Sequence, residues 1–282
     1  MKSPPIKALA AVLLLFPLTL SAWAFWLEPA SLRNEDFTLA LPLWPAECGG
    51  MRVAVLADIH VGSPWNGVDK LREIVALTLA AEPDLILLAG DYVIHGVVGG
   101  SHVSPESSAA ELAALSAPAG VFSVLGNHDW WLDGPRVQGA LEAVGIPSLE
   151  DTAVPLEHDG CAFWLAGVSD YWEGAHDIDA ALAAVPKGAP TLLFTHNPDL
   201  FPEIPPRVAL TIAGHTHGGQ VYLPGIGRPV VPSKFGQRYA IGHVEEAGRH
   251  LFVSSGLGTS ILPVRFLVPP EISVLTLEPA GS

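Results

Sequence analysis

The stretch VAVLADIH at residues 53–60 decides the fold, because an uninterrupted apolar run ends directly on an aspartate and a histidine. A short apolar run of this kind is typical of a strand that is buried on both faces of a sheet. Four later runs follow the same pattern: LILLAGD at 85–91, VFSVLGNHD at 121–129, LLFTH at 192–196 and LTIAGHTH at 210–217. Because loops that carry functional side chains cluster at one edge of such a sheet, we expect the five strand ends to converge on one site.

The side chains at these strand ends are of the types that bind divalent metal ions. If the segments are extended, residues i and i+2 point to the same side, so that Asp58 and His60 reach one ion while His215 and His217 face one cavity. Mixed nitrogen and oxygen ligands argue against calcium, and imidazoles argue against a site for magnesium alone. We therefore predict a divalent-metal site for Mn, Fe or Zn with enough ligands for two ions: Asp58, His60, Asp91, Asn127, His196, His215 and His217.

The periodicity of the rest of the chain predicts an α/β architecture. Helices are expected near residues 68–81, 109–116, 135–144 and 177–184, and further strands near 146–149, 153–157, 162–166, 220–223, 237–245, 249–254 and 271–277. The early part alternates strand and helix, whereas the late part is mostly strand. This order predicts a four-layer α/β/β/α sandwich in which helices flank two mixed β-sheets, within one domain at residues 50–278 and with a short tail at 279–282.

The amino terminus predicts export. Lys2 and Lys7 precede an uncharged stretch from Ala8 to Trp26, which is long enough to be a signal anchor, and Ala22-Trp23-Ala24 also fits the cleavage site of a signal peptide. Both alternatives place the catalytic domain outside the cytoplasm, either held at the cell membrane or secreted after cleavage. Residues 27–49, which contain three prolines, are expected to form a linker.

The charge and cysteine content of the chain limit the kinds of binding partner and covalent bond to be expected. The 282 residues carry a formal charge of −15 without a basic cluster, which argues against nucleic acid as a partner. The two cysteines, Cys48 and Cys161, either form a disulfide in an oxidising compartment or remain thiols. Trp130 and Trp131 either line the site or pack in the core, and Asp170 is expected to serve a turn.

The five blocks resemble the calcineurin-like metallophosphoesterase superfamily, whose pattern is DxH, GD, GNH[DE], H and GHxH. All five occur here in that order, as DIH at 58–60, GD at 90–91, GNHD at 126–129, His196 and GHTH at 214–217. Finer features resemble a bacterial membrane-associated branch similar to the YaeI and YkuE phosphodiesterases: NHDWW at 127–131, GHTHGGQ at 214–220, and GLG at 256–258 with LPVRF at 262–266 and PPE at 269–271.

The resemblance implies a division of the ligands between two ions. One ion would be held by Asp58, His60 and His217, the other by Asn127, His196 and His215, with Asp91 between them. It also implies that His128 protonates the leaving group as a general acid, and Asp129 would then hold the orientation of the His128 ring.

The expected function is therefore hydrolysis of a phosphodiester or pyrophosphate by a hydroxide held between two metal ions. A lipid-linked phosphate ester is one expected substrate class, with UDP-2,3-diacylglucosamine as a candidate, although an outward-facing site fits a cytoplasmic nucleotide lipid poorly. Two alternatives remain open at this stage. The chain could be a metal-binding scaffold without activity, or a metal hydrolase of esters other than phosphate esters.

Overall fold

Within residues 6–281, which the computed structural model describes, eleven strands form two mixed sheets. The first sheet has the order β1 (Arg33–Leu41), β11 (Glu271–Pro279), β2 (Met51–Leu56), β3 (Leu85–Ala89) and β4 (Val121–Val124). The second has the order β5 (Thr152–His158), β6 (Cys161–Val168), β7 (Thr191–Thr195), β8 (Leu210–Ala213), β10 (Arg249–Val253) and β9 (Gly242–Glu246). Strands β2, β3 and β4 are mutually parallel, as are β6, β7, β8 and β10.

Alternating side chains of each strand build the layers. On β2, Val53 and Val55 point into a core shared by both sheets, together with Phe194 of the second sheet. Ala54 and Leu56 point the other way, into a core under the helices. The first sheet is covered by α3 (Val68–Ala80), α4 (Pro105–Leu112) and α5 (Asn127–Ala143), and the second by α6 (Ile178–Ala181) and a 3₁₀ turn at Pro198–Glu203. The predicted sandwich of two mixed, helix-flanked sheets is confirmed.

Several predicted element boundaries are wrong for local reasons. Helix α4 begins earlier than expected, because the Ser104 side chain accepts a hydrogen bond from the Ser107 N–H group and Pro105 occupies the first helical position. Helix α5 begins at Asn127, inside the GNHD block of predicted metal ligands, and bends at Asp133, two residues before Pro135. Residues 220–223 contribute only two isolated bridges, from Val221 to Phe266 and from Leu223 to Gly227, and residues 146–149 only a bridge at Ser148. The predicted strand at 237–245 begins instead with a 3₁₀ turn at Gly236–Tyr239.

The predicted linker at residues 27–49 contains the strand β1, and that prediction is corrected here. Strand β1 pairs in parallel with β11 along its whole length, from Arg33 opposite Glu271 to Leu41 opposite Pro279. Leu39 and Leu41 reach the core between the sheets. This part of the chain is therefore an edge strand of the first sheet.

The amino-terminal apolar stretch is helical where it is described. Helix α1 (Ile6–Ala22) continues through a π-helical turn at Trp23–Leu27 into the short α2 (Glu28–Ala30). No helix in residues 6–281 combines the length and the apolar character needed to cross a membrane. Residues 1–5 of the predicted anchor or signal, and Ser282 of the predicted tail, lie outside the described residues.

A disulfide joins Cys48 to Cys161. Cys48 ends a 3₁₀ turn that precedes β2, and Cys161 begins β6, so the bond connects the two sheets. Both cysteines are buried in the core between the sheets. Of the two alternatives that the sequence leaves open, the structure has the disulfide, and no cysteine is free.

Candidate metal centre

The strand ends converge at one edge of the two sheets, but the backbone there is not extended as the sequence predicts. Asp58 and His60 have φ angles of 52° and 46°, and His215 and His217 have φ angles of 69° and 51°. Asp91 is also left-handed, with a φ angle of 60°. Left-handed backbone is costly for residues other than glycine and clusters at functional sites. Tight turns therefore aim these side chains inward.

All seven predicted ligands meet around the carboxylate of Asp91. Its Oδ2 atom lies 3.4 Å from His60 Nε2 and 3.3 Å from His196 Nε2. On the first side, His60 Nε2 lies 3.1 Å from His217 Nε2, and His217 Nε2 lies 3.4 Å from Asp58 Oδ1. Asp91 therefore occupies a central position between two groups of side chains.

The second group lies on the other side of Asp91. His196 Nε2 lies 3.2 Å from Asn127 Oδ1 and 3.1 Å from His215 Nδ1. These three side chains are the ones that the family resemblance assigns to the second ion. The described residues thus contain two adjacent sets of ligand atoms, and Asp58, His60 and His217 form one of the groups able to hold a metal ion.

Hydrogen bonds from the protein leave the inward-facing atoms of these side chains available. His60 Nδ1 lies 3.0 Å from the Val93 carbonyl oxygen, and His196 Nδ1 lies 2.8 Å from that of Ala89. With Nδ1–H donating to a carbonyl, each ring turns its Nε2 lone pair toward the centre. The backbone N–H of His128 donates to Asp91 Oδ1 at 2.8 Å, which leaves Oδ2 facing the same point.

The electrostatics of this buried group suit a bound cation. Burial, with the nearby Asp91 carboxylate, raises the pKa of Asp58 to about 7. Burial lowers the pKa of His60 and His215 to about 3, which keeps both rings in the neutral form that binds metals. Burial opposes ionisation of His196 as well, yet Asp91 and Asp58 raise its pKa well above the usual value. The residues present therefore fit a divalent ion in both chemistry and charge.

His128 lies beside this group, with contacts that fix its proton. Its ring contacts the His60 ring edge-to-face, with centroids 4.6 Å apart, and the Trp131 ring at 4.9 Å. The backbone N–H of His95 donates to His128 Nδ1 at 3.2 Å, and Nε2 lies 3.5 Å from Ser260 Oγ. A ring that accepts at Nδ1 carries its proton on Nε2. Burial lowers the pKa of His128 below its ordinary value.

Asp129 does not hold the His128 ring, and the predicted catalytic role is corrected here. Its carboxylate accepts hydrogen bonds from the backbone N–H groups of Asp91, Tyr92 and Gly126, at 2.8, 2.9 and 2.9 Å. Because α5 begins at Asn127, Asp129 is the third residue of the helix and reaches back to the N-cap, as an acidic residue does in a capping box. Asp129 thus ties the Asp91 loop to the start of α5.

Arg265 is a structural residue that the sequence patterns do not single out. Its guanidinium is completely buried and donates five hydrogen bonds to the carbonyl oxygens of Ser255, Gly256, Gly258 and Val268. The segment that it holds backs the metal-type ligand Asp58, because Gly258 N–H donates to the Asp58 carbonyl oxygen at 2.6 Å. An isolated arginine inside an apolar, acid-free stretch is the one signal that could have indicated it.

A cavity of about 530 Å³ opens from the metal-type residues to the surface. Trp131 lines the cavity, whereas Trp130 packs against the core under the helices. One tryptophan of the pair therefore has the predicted site position and the other the predicted core position. Trp172 also lines the cavity and contacts His215 edge-to-face, with centroids 4.4 Å apart. Asp170 serves the expected turn, since its carboxylate accepts from the Trp172 N–H group at 2.9 Å. The remaining walls are largely apolar, with Val221, Val230, Ile261, Leu262 and Val264.

Residues 51–219 match the family model for calcineurin-like phosphoesterases. The chain belongs to the calcineurin-like phosphoesterase family. This calcineurin-like chain is 29% identical to the uncharacterized metallophosphoesterase YkuE of Bacillus subtilis, over 91% of this chain and 89% of that protein. It is 30% identical to the phosphodiesterase YaeI of Escherichia coli, over 80% of this chain and 82% of that protein. The predicted family, and with it a metal-dependent phosphoric ester hydrolase, are confirmed.

Two solved nucleotidase structures are similar to part of this calcineurin-like chain. The NAD nucleotidase of Haemophilus influenzae superimposes with a TM-score of 0.47 at 16% identity, over 73% of this chain and 45% of the nucleotidase chain. A 5′-nucleotidase precursor of Thermus thermophilus gives a TM-score of 0.44 at 15% identity, over 74% of this chain and 49% of that chain. The chain therefore spans less than half the length of these nucleotidases.

Proposed function

We propose that this chain is a phosphodiesterase that uses two divalent metal ions. The observation that carries the proposal is the position of Asp91 Oδ2, which is 3.4 Å from His60 Nε2 and 3.3 Å from His196 Nε2. A carboxylate oxygen between two groups of ligands is suited to bridging two ions. Asp58, His60 and His217 would hold one ion, and Asn127, His196 and His215 the other. Bound divalent ions supply Lewis-acid charge to phosphoryl oxygens and lower the pKa of water.

His128 would supply the proton for the leaving group. The hydrogen bond from His95 N–H to Nδ1 keeps the ring proton on Nε2, and Nε2 faces the cavity beside Ser260. A residue that donates from a fixed tautomer matches the requirement for a general acid, which contributes about 10²- to 10⁴-fold to rate.

An amphiphilic substrate is the favoured class, because the walls of the cavity beyond the metal-type residues are largely apolar. Val221, Val230, Ile261, Leu262 and Val264 would contact a hydrocarbon moiety that is attached to the phosphodiester. UDP-2,3-diacylglucosamine has this character and is one compound to assay. A scaffold without activity is disfavoured by the complete set of seven ligand residues.

We also propose that the catalytic domain acts outside the cytoplasm, attached to the membrane or released after cleavage. The disulfide between Cys48 and Cys161 supports an oxidising compartment. Mass determination of the protein purified from its own host distinguishes the forms. An intact amino terminus indicates an anchor, and a chain that starts just after Ala24 indicates cleavage. Retention of the intact protein in the cytosol would contradict the proposal.

The activity test uses the full chain in detergent micelles with added Mn²⁺. We expect metal-dependent hydrolysis of bis-p-nitrophenyl phosphate, and loss of more than 100-fold in Asp91→Asn. His128→Ala should lose little with this substrate, whose leaving group needs no proton, but at least 100-fold with an alkyl phosphodiester. His243→Ala, at an exposed histidine of β9, is the matched control and should retain activity.

Two results would overturn the proposal. Absence of metal-dependent hydrolysis of aryl, alkyl and lipid phosphodiesters rules out the phosphodiesterase. Equal losses of His128→Ala on aryl and alkyl substrates rule out the general acid. A carboxylic ester such as p-nitrophenyl butyrate is assayed in parallel, and faster turnover of that ester would favour the hydrolase of other esters.

A further inference from the structure

Exposed apolar side chains surround the opening of the active-site cavity. Ile261 and Val230 are 70% and 72% exposed at its rim, and Leu262 is exposed beside Ile261. Val98 belongs to the neighbouring loop and is 58% exposed. The backbone N–H of Val98 donates to the Ile261 carbonyl oxygen at 2.9 Å. Exposed apolar residues that form a continuous group, unlike scattered ones, mark an interaction surface.

The amino-terminal helical segment is fixed to this same rim. The backbone N–H of Arg265 donates to the Ala24 carbonyl oxygen at 2.9 Å, and that of Val268 donates to the buried carboxylate of Glu28. The Trp65 indole donates to the Phe25 carbonyl oxygen at 2.9 Å. Helix α1, which precedes this junction, exposes large apolar side chains at Leu13, Leu15, Phe16 and Leu18.

Tryptophans mark the junction between the helix and the domain. Trp23 and Trp26 of the π-helical turn and Trp65 of the domain are all exposed, and the rings of Trp26 and Trp65 lie 6.4 Å apart. Tryptophan is enriched where protein meets the boundary between lipid and water, because its ring is apolar while its N–H group can hydrogen-bond. The junction therefore has the composition of a membrane-surface contact.

The charge distribution fits the same surface. The chain has 29 acidic residues, yet none occurs between Asp91 and Glu106, between Glu203 and Glu245, or between Glu246 and Glu271. These acid-free segments include Val98, Val230 and Ile261 to Leu267. Membrane surfaces that contain anionic lipids repel carboxylates. These segments of the rim can therefore approach such a surface without charge repulsion from carboxylates of their own.

We propose that this face docks on a lipid bilayer, so that the cavity opens directly onto the membrane. We call it the docking face, and it comprises the exposed residues Trp23, Trp26, Trp65, Val98, Val230, Ile261, Leu262 and Leu267. The acyl chain of an amphiphilic phosphodiester would then pass along Ile261 and Leu262 while its phosphate reaches the metal-type residues. The docking face itself does not depend on the proposed activity, whereas this route of entry does.

The test places an environment-sensitive fluorophore on the docking face of the full chain. Because Cys48 and Cys161 are joined, a single introduced cysteine is labelled specifically with a nitrobenzoxadiazole dye. Val98→Cys and Leu267→Cys lie on the face. Leu79→Cys is the matched control, since Leu79 is also an exposed apolar residue but lies at the end of α3, toward the opposite edge of the sheet.

We expect vesicles of phosphatidylcholine and phosphatidylglycerol to raise the emission at positions 98 and 267 at least twofold with a blue shift. Spin-labelled lipids should quench that emission, and position 79 should not respond. Positions 98 and 267 responding no more than position 79 would overturn the proposal. A rise in emission with protein concentration alone, without vesicles, would assign the face to a second copy of the chain and would overturn it equally.

A second measurement separates docking from catalysis. Val98→Asp should retain turnover of soluble bis-p-nitrophenyl phosphate but lose at least tenfold on a phosphodiester presented in vesicles, and Leu79→Asp should change neither. If no phosphodiester is hydrolysed at all, the proposed function fails, while the fluorescence still decides the docking face. Equal vesicle turnover by Val98→Asp and Leu79→Asp would contradict the route of entry.

Discussion

Replacing Arg265 with methionine should destabilise the protein more than almost any other single substitution outside the metal-type residues. The guanidinium gives five hydrogen bonds to four buried carbonyl oxygens, and methionine has similar length but no donor. A buried acceptor left without its donor costs about 1–3 kcal/mol, so four cost at least about 4 kcal/mol even if the loop partly relaxes. A protein of this type has only about 5–15 kcal/mol of stability.

The assay is urea unfolding of the full chain in detergent with a chelator, followed by tryptophan fluorescence. Arg249→Met is the matched control, because Arg249 also donates to three carbonyl oxygens, those of Phe201, Pro202 and Ile204, but is only half-buried. Water can replace its bonds, so its loss should cost about 1 kcal/mol. Free energies of unfolding within about 1 kcal/mol of each other for the two variants would refute the reasoning.

A second measurement connects Arg265 to the metal centre. The loop that it holds is bonded to the strand end that carries Asp58, through Leu257 N–H to the Ala57 carbonyl oxygen at 3.0 Å. Folded Arg265→Met should therefore bind Mn²⁺ at least tenfold more weakly in calorimetric titration, because Asp58 is no longer fixed. Unchanged affinity in the folded variant would limit Arg265 to a role in stability.

Three further predictions concern the pH dependence, the disulfide and the packing of the centre. Burial raises the pKa of Glu150 to about 7 from 4.5, so ionisation of this carboxyl lowers the stability of the folded protein as the pH rises through that interval. Relative to wild type, Glu150→Gln should therefore gain up to about 3 kcal/mol of unfolding free energy between pH 4.5 and 7 in urea titrations. A difference between the two proteins that stays constant with pH would contradict this. Replacing Cys48 and Cys161 together with alanine opens a loop with a sequence separation of 113 and should cost about 5 kcal/mol, which the same titrations under non-reducing conditions measure. Gly90→Ala should reduce Mn²⁺-dependent hydrolysis more than tenfold, since its Cβ would lie 2.8 Å from His196 Nδ1, whereas Gly50→Ala, also at positive φ but in open space, should retain it.

The convergence of the metal-type residues could be predicted because it depends on strand order alone. Parallel strands bring their carboxyl ends to one edge, so apolar runs that end on Asp58, Asp91 and His196 must meet there. The direction in which a side chain points is a different matter. Asp129 follows His128 directly, yet the start of α5 at Asn127 turns its carboxylate toward the helix N-terminus, and proximity in sequence does not reveal this.

Two other features show what a local pattern misses. In strand β1, apolar residues alternate at Phe37, Leu39 and Leu41, as in a half-buried strand. Three charged residues in the same segment and nearby prolines favour a linker, and only the pairing with β11 decides between the two. The isolated position of Arg265 in an apolar stretch hints at burial but not at its partners, because its acceptors belong to a loop that becomes a ring of carbonyls only after folding. Features that depend on long-range pairing or on loop closure therefore need the structure.

The position of β11 affects how the protein can be made. This strand, the last of the eleven described, lies between β1 and β2, the first two in chain order. Until the ribosome has released the residues up to Pro279, the first sheet has a gap where a central strand belongs, and the backbone groups on both sides of the gap have no partners. A truncation that removes Glu271–Pro279 would thus delete an interior strand of the first sheet, and quality-control proteases would meet an open sheet.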